Sequence, residues 1–357
     1  MTISEETFKS RVREFWSWYT EVAPRFSETI AAGGCDTLTT EISAKVNELA
    51  DGLAWEFGPG AGGGGHSLTV SGEGNIHRQL LAIYWLESAP SLPGWTFYPA
   101  RQAISIKGFR IDFGSNQFDP MELLFAAVVN PDKQNLDITV WHPLFGNMPE
   151  KERWTVLFLF LDMVLGEYGT QQWIGKITFA AERPVDAIPV DELPPLLERV
   201  KTEHKWKTFP PGERTVGYSF EKPHANWLRG DIVAGTTMNF PLINQYTKGP
   251  GDMEDPLAGT GADYVFVAFA ASILPPGRQV EIRAQIEDAL DAALRSSACG
   301  RLLGGATGTA NAYIDLLLFD GANSIEIIKS IMREKGLPAG SSINYFAKDK
   351  RRCRIVT

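Results

Sequence analysis

Hydrophobic residues in the first half of the chain alternate between helical and strand spacing. Phe8, Phe15 and Tyr19 recur at the intervals of one helix face and predict a helix near the N-terminus. The apolar run 154–165 predicts a buried helix, because it is too short to cross a bilayer. Strand-like runs lie between these two helices, at 53–57, 67–70, 95–99, 123–129 and 136–141. The pattern predicts an N-terminal α+β domain over residues 1–181.

The second half alternates more regularly from residue 264 onward. Elements are predicted in the order β-α-β-β-α-β, at 264–271, 278–296, 301–303, 313–319, 323–336 and 342–346. This order is typical of a ferredoxin-like unit, in which two helices cover an antiparallel sheet. Two further strands, at 215–220 and 231–240, precede it. We therefore predict a C-terminal ferredoxin-like domain over residues 213–357, with extra N-terminal strands.

Residues 182–212 separate the two halves and are rich in residues that interrupt helices and strands. Prolines recur from Pro184 to Pro211, and one short helix is predicted among them at 196–202. A chain of 357 residues is too long for one ordinary core. We therefore predict two α+β domains, each with an antiparallel sheet covered by helices, joined by a Pro-rich linker at 182–212.

The charge and the cysteines narrow the class of protein. A formal net charge of −9 disfavours a general nucleic-acid binder, because phosphate contacts need a positive surface. The N-terminus has neither the basic nor the apolar region of a secretory signal, and the three cysteines form no C-x-x-C. These features predict a cytoplasmic protein with a protein partner, and with neither nucleic acid nor membrane as partner; they leave the oligomeric state open.

Standard motifs for cofactors and metals fail on spacing or context. Gly58, Gly60 and Gly63 match G-x-G-x-x-G, but a strand follows them where a dinucleotide site needs a helix. A flexible hairpin loop is the favoured interpretation. The histidines form neither H-x-H nor H-E-x-x-H; they are His66, His77, His142, His204 and His224. We predict no cofactor and no metal.

Asp162 is the most informative polar residue, since it interrupts the apolar run of the predicted buried helix. A buried carboxylate needs a partner, or it takes up a proton. Arg101, at the end of a predicted strand, is the proposed partner, and Glu167 follows one turn later. Arg101, Asp162 and Glu167 are the candidate catalytic residues; a structural ion pair or a solvated helix edge is the favoured alternative.

Two charged segments of the second half carry weaker signals. The acidic loop 252–255 has oxygen ligands for a cation but not the spacing of a calcium loop, so a solvated loop is favoured. The tail 348–354 has five basic residues and one acidic residue. It could touch RNA or dock on the acidic body of the protein, and a solvated terminus is the default.

Several segments resemble a widespread bacterial family of unknown function over about residues 8–200. They are Phe15–Tyr19, Trp55–Gly58, Ser71–Gly74, Ala89-Pro90 with Gly94-Trp95, and Leu161–Glu167. A weaker resemblance to a second uncharacterised bacterial domain covers Ile286–Leu290, Gly300-Arg301 and Tyr313–Asp315. Neither resemblance implies a known reaction. By analogy, members of such families resemble accessory or immunity-type proteins.

The acidic charge and the missing motifs lead to one functional hypothesis and one rival. We expect a non-enzymatic binding or regulatory protein of the immunity-like kind. The rival is an enzyme with a non-standard carboxylate and arginine site near Asp162.

Overall fold

The computed structural model describes residues 6–114, 116–220, 227–249 and 251–356. The fold is α+β, as predicted. The helices are α1 Phe8–Ala31, α2 Thr39–Leu49, α3 Ile76–Glu87, α4 Glu150–Trp173, α5 Leu193–His204, α6 Phe240–Lys248, α7 Gln279–Ser296 and α8 Gly321–Glu334. The strands are β1 Ala54–Pro59, β2 His66–Ser71, β3 Trp95–Tyr98, β4 Ile111–Phe113, β5 Asn116–Phe118, β6 Leu124–Asn130, β7 Asn135–Trp141, β8 Ile174–Phe179, β9 Ile188–Pro189, β10 Val216–Ser219, β11 Ile232–Thr237, β12 Asp263–Ala270, β13 Gly300–Gly308, β14 Asn311–Leu318, β15 Ser342–Tyr345 and β16 Ile355–Val356.

The chain divides into two compact units that interleave along the sequence. The first, called here the outer unit, consists of Met1–Leu53, Glu87–Leu92 and Pro211–Thr357. The second, the inserted unit, consists of Ala54–Leu86 and Pro93–Pro210. This division differs from the predicted one, in which the chain up to position 181 forms one domain.

Residues before position 54 belong to the outer unit because α1 is anchored on that unit's strand ends. The backbone N–H of Phe8 donates to the carbonyl of Gly261 at 3.0 Å. Lys9 Nζ lies 3.1 Å from the Asp320 carboxylate and forms an ion pair with it. Gly261 has a φ of 77°, and a Cβ there would lie only 2.7 Å from the Phe8 nitrogen. Only glycine permits this close approach.

The outer unit is built on a seven-stranded sheet with the order β10-β11-β13-β14-β12-β15-β16. Every neighbouring pair in this sheet is antiparallel. Alternate residues of β12, such as Val265 and Val267, pack with Ile286 and Leu290 of α7 and Ile328 of α8. The sheet is larger than the four strands of the predicted ferredoxin-like unit, because β10, β11 and β16 extend it at its edges.

The inserted unit contains a three-stranded sheet, β1-β2-β3, and a four-stranded sheet, β8-β7-β6-β9. β1 and β2 are antiparallel and form a hairpin, so the glycine-rich segment between them, at 60–65, is the hairpin loop that the sequence favours. β2 and β3 are parallel and are connected through α3. α4 and α5 pack against the larger sheet, and the core between them includes Leu136, Phe160 and Trp173.

Residues 182–212 are not a linker, which corrects the prediction. Leu193, Leu197 and Val200 of α5 are buried in the core of the inserted unit. Two prolines stand at the start of α5, where a missing N–H costs no hydrogen bond and the fixed φ suits a helix. Pro194 and Pro195, two of the prolines that suggested a linker, therefore start a packed helix. Among the helices in the described ranges, none has the length and apolar character needed to cross a membrane.

Candidate functional site

A cavity of about 490 Å³ lies in the inserted unit, beside α4 and the start of β8. Its apolar lining residues are Phe158, Leu159, Ile174 and Ile177. Its polar and charged lining residues are Glu73, Arg101, Thr155, Asp162, Glu167, Thr170 and Gln171, with Gly74 and Gly175 completing the wall. Small-molecule sites are usually concave and combine apolar surface with polar groups that orient the ligand, and this cavity has both kinds of lining.

One face of α4 supplies the first part of the wall. Thr155, Phe158, Leu159 and Asp162 are spaced at intervals of three and four residues, which places their side chains on the same side of a helix. Phe158 is 44% exposed, so this face of the helix is not closed off from solvent. The sequence predicts α4 as a buried helix; the cavity explains why one face carries a carboxylate.

Gly166 interrupts α4 and redirects the chain toward the cavity. Its φ of 71° and ψ of 159° are not helical. At the break, the N–H of Glu167 donates to the carbonyl of Arg101 at 3.0 Å, and the N–H of Ile104 donates to the carbonyl of Met163 at 2.7 Å. The segment 101–104 thus satisfies backbone groups that the helix break exposes, and it brings Arg101 to the cavity.

Glu167 is buried at the cavity, with 3% of its surface exposed. Its Oε1 accepts hydrogen bonds from the backbone N–H of Gly74 at 2.9 Å and from Gln79 Nε2 at 2.7 Å. Its Oε2 is also buried, yet it has no hydrogen-bond partner among the described residues. A buried oxygen of this kind costs free energy unless a ligand or water satisfies it.

The arginine at the cavity is already paired. Arg101 Nε lies 3.1 Å from Glu73 Oε1, and the hydroxyl of Ser71 donates to the same oxygen. Asp162 was predicted to be the partner of Arg101, and the structure gives that place to Glu73 instead. Arg101 is close enough to Asp162 only to weaken the rise of its pKa.

Asp162 is half-buried, and its environment favours the protonated form. Burial raises the pKa of Asp162 from its ordinary value of 3.8 to about 6, because the ionised carboxylate loses hydration. The Glu167 carboxylate adds to this rise, whereas the nearby Thr170 side chain and the charge of Arg101 oppose it. Asp162 therefore changes charge near neutral pH.

The structure brings the three predicted residues, Arg101, Asp162 and Glu167, to one cavity. Sequence reasoning missed Glu73, which pairs with Arg101, and Gln79, which donates a hydrogen bond to Glu167. Glu73 lies in one of the segments that carry the family resemblance, so a signal was present. Gln79 gave none, since nothing local indicates a hydrogen bond to a residue 88 positions away.

Two of the histidines and Cys299 have surroundings that suit a structural role. The His66 ring packs 5.6 Å from the Trp95 ring, and His142 is buried against the Phe118 ring at 5.3 Å. His224 lies outside the described residues. Burial raises the pKa of the Cys299 thiol, which suits a core residue rather than a nucleophile. Nowhere in the described ranges do three His, Cys, Asp or Glu residues lie close enough to hold a metal ion.

The two charged segments of the second half pair with each other. Lys350 Nζ lies 2.7 Å from the Asp255 carboxylate and 2.6 Å from that of Asp263. Lys348 forms an ion pair with Glu254. Of the alternatives left open for the basic tail, docking on the acidic body is the one that the structure shows, and the acidic loop is partly neutralised by it.

A buried ion pair in the outer unit has no precedent in the sequence analysis. Arg229 Nη2 lies 3.1 Å from Asp315 Oδ2, and both side chains are fully buried. Four aromatic rings surround the guanidinium, with centroids 5.0–5.9 Å away; they belong to Tyr246, Phe266, Tyr313 and Phe346. The Asp315 carboxylate and the four ring faces thus compensate the buried positive charge within the protein.

Comparisons with known proteins do not add to this picture. No protein-family model, no curated protein and no solved structure matches the chain.

Proposed function

We propose that the protein is a non-enzymatic binding protein of the cytoplasm, and that the cavity beside α4 binds a small molecule. The observation that carries the proposal is the cavity itself, about 490 Å³ in volume, with apolar walls and a group of charged side chains. Among the described residues that line the cavity there is no Ser, Cys, His or Lys; its polar groups are carboxylates, one guanidinium, hydroxyls and an amide, which can orient a bound molecule. An immunity-like protein partner stays a prediction of the family resemblance.

Methyl NMR of the full chain tests whether the cavity binds small molecules. Fragment-sized compounds should shift the methyl signals of Leu159, Ile174 and Ile177, which line the cavity. The methyl signal of Ile314, in the core of the outer unit, is the internal control and should not move. A broad fragment library that leaves the three cavity methyls unchanged would contradict the proposal.

One observation favours the rival hypothesis of an enzyme. Asp162, with its pKa raised to about 6, shares the cavity with the Glu167 carboxylate, and a carboxyl group that titrates near neutral pH can act as a general acid or base. Incubation of a bound compound with the protein, followed by NMR of that compound, separates the two functions. A binding protein returns the compound unchanged; turnover that Asp162→Asn abolishes would establish an enzyme.

A further inference from the structure

We infer that the ligand of this cavity is an organic cation, an amine or guanidinium carried on an apolar body. The inference rests on the proposed small-molecule site and adds the chemical class of its ligand. It is argued from the charges that line the cavity, from the unpaired oxygen of Glu167 and from the apolar wall.

The cavity has more carboxylates than cations. Glu73, Asp162 and Glu167 line it, together with one cation, Arg101. Arg101 is committed to Glu73 through the 3.1 Å contact. Two carboxyl groups, those of Asp162 and Glu167, are therefore left without a cationic partner among the described lining residues. Negative charge enclosed in this way is costly unless a positive group joins it.

Glu167 shows where the positive group would bind. Gly74 and Gln79 hold its Oε1, which fixes the orientation of the carboxylate. Only 3% of the surface of Glu167 is exposed, yet its Oε2 has no hydrogen-bond donor in the described structure. An ammonium or guanidinium N–H is the donor that forms the strongest hydrogen bond to such an oxygen.

The residues that line the cavity favour an organic cation over a metal ion. No three His, Cys, Asp or Glu residues of the described ranges lie close enough to coordinate a metal. Leu159, Ile174 and Ile177 instead offer apolar surface beside the carboxylates. A ligand with a charged head and a hydrocarbon or aromatic body satisfies both parts of the lining, and its body gains from leaving water.

Three probes of nearly equal size test the inference: 2-phenylethylamine, 2-phenylethanol and 3-phenylpropionate. Titrated into the full chain at pH 7.5 and followed by methyl NMR, the amine should bind at least about tenfold more tightly than the alcohol, because the alcohol has no positive charge to pair with the carboxylates. The carboxylate should bind most weakly. The charge of the head group is the main difference between the amine and the alcohol.

Substitution of the carboxylate completes the test. Glu167→Gln should weaken binding of the amine about tenfold and leave the alcohol nearly unchanged. Glu152→Gln is the matched control, since Glu152 is exposed on the same helix and does not line the cavity. If Glu167→Gln does not fold, Asp162→Asn takes its place, and the comparison of amine with alcohol on the unsubstituted protein remains decisive.

The outcomes separate the two proposals. An alcohol that binds as tightly as the amine, with shifts at the cavity methyls, overturns the cationic ligand and leaves the small-molecule site standing. Tighter binding of the carboxylate overturns it as well. If none of the three probes shifts the cavity methyls while other fragments do, the cationic inference fails alone; if no compound shifts them, the proposed site fails too.

Discussion

Replacing Asp162 by Asn should stabilise the protein at neutral pH. The carboxylate is half-buried and burial raises its pKa from 3.8 to about 6, so its ionised form is disfavoured in the folded state. One pKa unit corresponds to about 1.4 kcal/mol, so this difference corresponds to about 3 kcal/mol. Partial exposure to solvent screens the charge, and we expect a stabilisation of about 1–2 kcal/mol from the neutral, isosteric amide.

The sign of the pH dependence follows from the same pKa. Between pH 4 and 6 the folded protein retains a proton on Asp162 that the unfolded chain has released. The free energy of unfolding therefore falls as the pH rises through this range, and the contribution of Asp162 is level above about pH 7. Asp162→Asn lacks this contribution. The difference in free energy of unfolding between the variant and the unsubstituted protein should therefore increase, in favour of the variant, from pH 4 to pH 7.

Urea unfolding at pH 4.5 and pH 7.5, followed by tryptophan fluorescence, measures the difference. Asp132→Asn is the control, because Asp132 is exposed in the turn between β6 and β7. It should change the free energy of unfolding by less than about 0.5 kcal/mol at either pH. A stability difference for Asp162→Asn that is the same at both pH values would refute the reasoning, as would a variant that is less stable at pH 7.5.

Three further substitutions test other features, each by urea or thermal denaturation. Gly166→Ala should cost about 1–3 kcal/mol, because alanine is strained at a φ of 71°; an unchanged melting temperature would count against the helix break. Arg229→Met should cost about 3–5 kcal/mol, since it leaves Asp315 buried and charged, and adding Asp315→Leu should restore part of the loss. Leu197→Ala should cost about 2–5 kcal/mol, whereas Val185→Ala, at a residue 99% exposed, should cost almost nothing; equal effects would restore the linker interpretation.

The long helices and most strands follow from local periodicity. α1 begins at Phe8, as the apolar spacing predicts, and β6 and β7 coincide with the predicted strand runs 123–129 and 136–141. α6 was missed, because its apolar residues continue the pattern of the strand before it. Asn239 accepts a hydrogen bond from the N–H of Leu242 and starts that helix, a capping signal that was present in the sequence.

The site was only partly predictable. Asp162 could be singled out from the sequence, because a carboxylate in an apolar run costs free energy unless it has a polar or charged partner. The pairing of Arg101 with Glu73 depends on the break at Gly166, which determines where the segment 101–104 runs. Contacts of this kind join residues far apart in sequence, and no local pattern encodes them.

The interleaving of the two units has a consequence for synthesis on the ribosome. The helix α1 needs Gly261 and Phe319 as partners, and the Phe8 ring packs 6.0 Å from that of Phe319. The chain between them includes the whole inserted unit, Ala54–Leu86 with Pro93–Pro210. At about 5–20 residues per second, α1 waits roughly 10 to 60 seconds before these partners exist. During that interval the contacts of α1 with Gly261 and Phe319 cannot form, while the inserted unit can already fold.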